Sequence, residues 1–222
     1  MYLHRIPPFV QQLYPDYIWR LPSDEKVVYF TFDDGPTPEI STWVLQQLAA
    51  YKARATFFLV GQQVRRCPEL AHRMIDAGHR IGNHSESHRN GRKIRLFPYL
   101  RDVLRGRQTI AEYTGIHTHL YRPPYGRLTL EQSRQIQRSH RIVMMDVISG
   151  DFDLRLKGDD CLQQVIRHVQ PGSIVLWHDS QKAWDRLRIA LPAALAYFHA
   201  EGYRFAALPL DQMLPKVAEE VQ

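Results

Sequence analysis

The stretch VVYFTFDDGPTP, residues 27–38, holds both the start of the fold and its central chemical puzzle. Strand-forming residues run into Asp33 and Asp34, and Gly35-Pro36 then stops them. Thr37 and Pro38 make a helix start, Thr as N-cap and Pro at the first helical position, and Trp43, Val44, Leu45 and Leu48 follow at helical spacing. Strand, turn and helix in direct succession form a β/α unit. Its two adjacent carboxylates repel each other, and burying either is unfavourable without a cation or strong donors.

The same unit recurs outward from that stretch. RATFFLV (54–60) reads as a second strand, CPELAHRMIDAG (67–78) as a short helix opened by Pro68 and closed by Gly78, and HRIGNH (79–84) as a brief third strand. Residues 97–113 read as helix, and THLYRPPYG (118–126) as a strand entering a Pro-rich turn. Thr129 and Gln132 fit a capping box. RIVMMDVIS (141–149) and GSIVLWHD (172–179) read as strands separated by a helix over about 159–169; a helix near 184–200 and a last strand, YRFAAL (203–208), complete the series. Near-continuous apolar strands alternating with helices imply a parallel sheet covered by helices, and the recurrence over 222 residues favours a barrel over an open sheet.

Hydrophobic residues at 44% and charged residues at 23% are ordinary globular values. No apolar run is long enough to span a bilayer. Pro7, Pro8 and Pro15 interrupt any apolar leader, which predicts a chain without a signal peptide and a cytoplasmic location, with export left open. Residues 1–26 are expected to pack on the barrel, 27–214 to form the main domain, and 215–222 to be a tail. Cys67 and Cys161 lack metal-type spacing and read as free thiols. The net charge of +6 is concentrated in residues 88–107, where Asp102 is the lone acid among many Arg and Lys. That run is either a solvated loop and helix face or a patch that attracts an anionic polymer; no nucleic-acid-binding motif accompanies it.

The unusual polar residues gather at one end of the strands. Asp33 and Asp34 end the first, His84 and His88 follow the third, Arg122 and Tyr125 end the fourth, Asp151 follows the fifth, and His178 with Asp179 ends the sixth. In parallel α/β folds these C-terminal ends converge on the active-site face. His84 and His88 lie four apart, so in a helical turn they would share one face and chelate one metal; with a strand-end Asp they make an Asp-His-His set of the kind that holds a catalytic zinc with a position left for water. One carboxylate would then sit on the metal and the other would need its own cation, for which Arg122 is the candidate. Trp177 and Trp184 flank this site and read as either sugar-stacking or packing side chains.

TFDDGP, HSESH, RPPYG, SGDFD and VLWH, in that order, resemble the five motifs of the polysaccharide deacetylase family, the NodB-homology domain of carbohydrate esterase family 4, over residues 27–210. The resemblance implies a distorted (β/α)7-type barrel. It implies Asp33 as catalytic base, Asp34, His84 and His88 as metal ligands, Arg122 as the group orienting Asp33, the Tyr125 N–H as an oxyanion donor, Asp151 as a tuning residue and His178 as general acid. Ser85 would tie its loop down, and Leu176, Pro124 and Trp177 would line the substrate pocket. The chain departs from the pattern where Phe152 follows Asp151 and Met144-Met145 precede Asp146; among Asp146, Asp151 and Asp153, Asp151 is the motif residue.

The implied reaction is metal-dependent hydrolysis of an acetamide on an N-acetylated sugar, a peptidoglycan or chitin-like oligosaccharide, with metal-activated water attacking the acetyl carbonyl. Zn2+ is the implied cofactor, with Co2+, Mn2+ or Ni2+ as alternatives, and nucleic acid is not an expected partner. An O-acetyl esterase and an inactive carbohydrate-binding protein are the competing readings.

Overall fold

A computed structural model describes residues 3–209; the expected tail at 215–222 and the end of the expected domain lie outside them. The described elements follow in chain order: α1 (Pro8–Leu13), β1 (Val27–Asp33), α2 (Pro38–Ala50), β2 (Thr56–Leu59), α3 (Gly61–Arg66), α4 (Pro68–Asp76), β3 (Arg80–Asn83), α5 (Leu96–Thr114), β4 (Leu120–Tyr121), α6 (Leu130–Ile136), β5 (Arg141–Ile142), β6 (Val147–Ile148), α7 (Gly158–His168), β7 (Ser173–His178), α8 (Trp184–Ala200) and β8 (Arg204–Phe205). All strand pairings are parallel. The strand path is β5-β4-β3-β2-β1-β7-β6, and β8 joins β1 beside its first residues. Seven parallel strands thus form a curled half-barrel covered by helices.

Strand parity divides the core into two layers. Phe30 and Phe32 of β1, Phe57 and Leu59 of β2, and Val175 and Trp177 of β7 pack outward with α2, α4, α7 and α8. Phe58, Tyr121, Ile174 and Leu176 face inward and join Trp19 and the partly buried Ile6, Tyr14 and Tyr17 of the N-terminal segment.

The segment expected as one strand over 141–149 is two, β5 and β6, and the reason is the gap in the barrel. β5 pairs only with β4 and β6 only with β7, so residues between them cross the opening instead of extending either ladder. The N-terminal segment supplies their hydrogen bonds. Ile18 N–H donates to Ile142, Met144 N–H to Ile18, Ile6 N–H to Asp146 and Ile148 N–H to His4. No described helix is long and apolar enough to cross a membrane.

The caps show where local sequence was decisive. Thr129 and Gln132 form the reciprocal capping box at α6. Thr37 is the N-cap residue of α2, but its side chain makes no cap bond; Ser41 Oγ instead accepts the Thr37 N–H and donates to Asp179. Cys67 and Cys161 are free.

Candidate active site

β1 and the turn that follows it deliver the two adjacent carboxylates differently. Asp33 is still in the strand, faces the barrel interior with Thr31, and is buried. Arg122, fully buried beyond β4, donates from Nη1 to Asp33 Oδ1 at 2.8 Å and to Thr31 Oγ1 at 2.7 Å. Its Nε and Nη2 donate to the carbonyls of Val143 and Met144, and its guanidinium lies 4.1 Å from the Phe58 ring centroid. Every arm of the guanidinium is therefore committed, so Arg122 works as a rigid cation that fixes one oxygen of Asp33.

Asp34 lies past the strand, at φ 85°, in a turn that only Gly35 can continue. A Cβ on Gly35 would fall 2.1 Å from Asp179 Oδ2. The fully buried Asp179 takes the Gly35 N–H at 3.0 Å and the Ser41 hydroxyl, so it anchors the turn. Burial, reinforced by nearby Asp34, pushes its carboxyl up to about 8 despite the Ser41 bond.

His84 and His88 do not share a helical face. Their loop is non-helical: Ser85 and His88 adopt φ 67° and 54°, and Ser85 Oγ accepts the His88 N–H at 3.1 Å. The loop brings the rings to a centroid distance of 5.0 Å. His84 Nδ1–H donates to the Arg122 carbonyl at 2.7 Å, which leaves Nε2 as the available nitrogen, 3.8 Å from Asp34 Oδ1; His88 Nε2 lies 3.1 Å from the same oxygen. Burial lowers the His84 pKa to about 4, so the ring is neutral, as a metal ligand must be. Burial opposes ionisation of Asp34, but contact with His88 and the charge of His178 hold its carboxyl well below the usual range.

Asp34 Oδ1 is buried yet accepts no well-formed hydrogen bond among the described residues. One orphaned carboxylate oxygen facing two imidazole nitrogens, with ligand atoms all within 4.8 Å of one another, fits a divalent cation. Three protein ligands also leave room in the coordination shell for water or substrate.

Across the site, His178 ends β7 with Nδ1–H donating to Asp151 Oδ1 at 2.8 Å, while its N–H meets Asp151 Oδ2 at 2.7 Å. Burial alone would lower the ring's pKa, but the Asp151 charge and hydrogen bond raise it to about 9. Phe152 packs edge-on against the ring at 5.2 Å. Asp146 and Asp153 are elsewhere: the first holds the start of β7, the second pairs with Arg155.

Tyr125 has φ 60°, stands 63% exposed and packs its ring 4.8 Å from that of His88. Its N–H has no backbone acceptor among the described residues. Pro124 is buried behind it, and Leu176 lies on the inward face of β7 beside His178. Trp177 is a correction. One residue out of phase with Leu176 and His178, it faces the helices, fully buried against Phe30 at 5.8 Å and turned away from the inward face that carries the site. Trp184 packs edge-on against Trp43 at the rim of the outer core. Asp179, directly after the strand-end histidine, reads from sequence as a loop-holding residue without chemistry; the structure bonds it to the Gly35 turn and to Ser41 of α2.

The polysaccharide deacetylase family model matches residues 20–145. The peptidoglycan-N-acetylglucosamine deacetylase of Bacillus cereus is 30% identical over 192 residues, which cover 86% of this chain and 90% of that one. The solved Bc1960 peptidoglycan N-acetylglucosamine deacetylase superposes with a TM-score of 0.82 at 28% identity, covering 91% of this chain and 95% of its own. BA3943 of Bacillus anthracis, a family pseudoenzyme, superposes with a TM-score of 0.78 at 26% identity over 90% of this chain and 69% of that one. The chain belongs to the polysaccharide deacetylase family, carbohydrate esterase family 4.

Proposed function

We propose that the protein removes N-acetyl groups from an N-acetylated glycan of the peptidoglycan type, using a divalent metal held by Asp34, His84 and His88. The observation that carries this reading is the separation of two carboxylate–cation pairs around the Asp-His-His set: Asp33 with Arg122 on one side, Asp151 with His178 on the other. The names of the relatives support the substrate class.

Held by Asp34, His84 and His88, a divalent cation would supply Lewis acidity toward an acetyl carbonyl and lower the pKa of water toward neutrality. Asp33, one oxygen held by Arg122, uses the other to take the proton of the attacking water. The Tyr125 N–H supports the developing oxyanion, a donor worth on the order of 3 kcal/mol. His178, its Nδ1 fixed on Asp151, offers Nε2–H to the amine that leaves, without which the amide would be a very poor substrate. Acetate and a free amino sugar result. Zinc, cobalt, manganese and nickel all suit one carboxylate and two imidazoles.

Acetate release from peptidoglycan fragments, measured on chelated protein, metal-restored protein and the Asp33→Asn variant with its metal content determined, tests the reading. Release should require metal, and Asp33→Asn should bind metal but lose turnover by roughly 10²–10⁴. Metal-independent release, or full activity in Asp33→Asn, would overturn it.

A further inference from the structure

The basic run at residues 88–107 is only part of a larger basic surface. α3 and α5 meet where Gly106 is too close to the 83–86 loop for any side chain: a Cβ there would fall 2.4 Å from the Ser85 carbonyl carbon and 2.7 Å from the Glu86 nitrogen. That approach brings Arg65 and Arg66 of α3 beside Arg105 of α5 and Arg89 of the His88 loop, around an open cavity of about 480 Å³. Two acids line it, and both are engaged. Glu86, buried, takes Arg65 at 3.2 Å and the Thr109 hydroxyl at 2.8 Å, with Arg105 Nε at 4.0 Å. Asp102 takes the Ser87 hydroxyl at 2.6 Å and its N–H at 3.3 Å. Arg66 and Arg89 pair with no carboxylate among the described residues.

The cavity is therefore concave and cationic, with Arg65 held in place by Glu86 and Thr109 and two guanidiniums uncompensated. Guanidinium forks suit carboxylate and phosphate oxygens. Its position is as telling as its charge, since Ser87 and Arg89 are the residues on either side of His88, whose Nε2 faces Asp34. The cavity and the Asp34 centre therefore share the loop that carries His88.

We propose that this cavity binds an oxyanion substituent, carboxylate or phosphate, carried by the glycan beside the sugar that is deacetylated, so that the protein selects acidic over neutral glycans. The proposal rests on the deacetylase reading for its orientation, but binding can be measured without turnover. Two tetrasaccharides serve as probes: an N-acetylglucosamine tetramer, and one of equal length whose alternate sugars carry a lactyl carboxylate. Their affinities are measured by calorimetry on the metal-loaded full chain bearing Asp33→Asn, with and without Arg66→Gln and Arg105→Gln, both at exposed positions. The acidic tetramer should bind at least about tenfold more tightly than the neutral one, and the two glutamine substitutions should remove that difference while leaving neutral affinity unchanged. Inorganic phosphate should weaken the acidic tetramer alone. Equal affinities of the two tetramers without the glutamine substitutions, equal weakening of both tetramers by the substitutions, or phosphate competition against both would each overturn the proposal. So would tighter binding of a single-stranded oligonucleotide, which would make the cavity a nucleic-acid surface. If active protein releases no acetate from either tetramer but the affinity difference persists, the deacetylase reading fails and the anion site stands. Acetate release with no affinity difference is the converse.

Discussion

Asp146 and Asp151 flank β6 and hold opposite ends of its neighbour, β7. Each is buried, and each accepts one side-chain and one backbone donor from β7. Asp146 takes Ser173 Oγ at 2.8 Å and the Ile174 N–H at 2.7 Å; Asp151 takes His178 Nδ1–H at 2.8 Å and the His178 N–H at 2.7 Å. The bonding pattern is nearly the same, but the consequences differ. At the N-terminal end the partner is a hydroxyl that cannot take up charge, and burial drives the Asp146 carboxyl up to about 6. At the C-terminal end the partner is an imidazole, and the charge of Asp151 raises that ring to about 9. A buried carboxylate becomes useful for proton transfer when its partner can hold the proton and faces the open end of the barrel.

The largest effect expected from breaking the Asp151 side of this comparison is the loss of the histidine itself. His178→Ala should lower N-acetyl hydrolysis by roughly 10²–10⁴, the range of a general acid. An activated acetyl ester, whose leaving group needs no proton, should suffer far less. Comparing kcat for the two substrates on folded variant protein checks this, and equal losses would mean that His178 does not act as the acid.

Asp151→Asn asks for less. The ring keeps a hydrogen-bonding neighbour but loses the charge, and a loss of about 10- to 100-fold is expected. The pH profile gives the sharper readout. The protonated imidazole donates, so with its pKa near 9 activity should persist through neutral pH and fall as pH rises past that value. Removing Asp151's charge should move this alkaline limb toward the ordinary 6.5. A limb that stays put would assign it to another group.

Most of this site was legible before any coordinates, because strand ends in a parallel β/α chain converge and the polar residues at those ends are few. Asp33, Asp34, His84, His88, Arg122, Tyr125, Asp151 and His178 all come to one face. What sequence left hidden is set by neighbours distant in the chain. The break between β5 and β6 depends on an N-terminal segment entering the barrel gap and supplying hydrogen bonds at Ile18 and Ile6. The inward or outward facing of Trp177 depends on register, since a shift of one residue exchanges the two faces. HxxxH spacing suggested a helical turn, whereas left-handed backbone at Ser85 and His88 does the work. The arginine cavity joins residues 65–66 to 89–105 through a glycine contact that no charge run reveals.

The smallest expected effect lies on the Asp146 side and is one of stability alone. Asp146→Asn keeps an acceptor for the Ile174 N–H and loses the charged bond to Ser173, a change of about 1 kcal/mol, or roughly 2–4 °C in Tm for a chain of this size. Catalysis should be unchanged, since the residue lies at the far end of β7 from His178. Its pH behaviour is distinctive. The folded pKa is raised above that of the unfolded chain, so the favourable contribution of Asp146 is present below the ordinary carboxylate pKa and lost as pH rises through about 6. Wild-type stability should therefore fall over that window by more than the variant's does, and urea unfolding at pH ~4 and pH ~7 measures the difference. Identical pH slopes in the two proteins would mean that Asp146 is already ionised in the fold, stabilised by Ser173, Ile174 and the charge of Arg20. In that case both carboxylates at the ends of β7 would be charged, and only their partners would distinguish them.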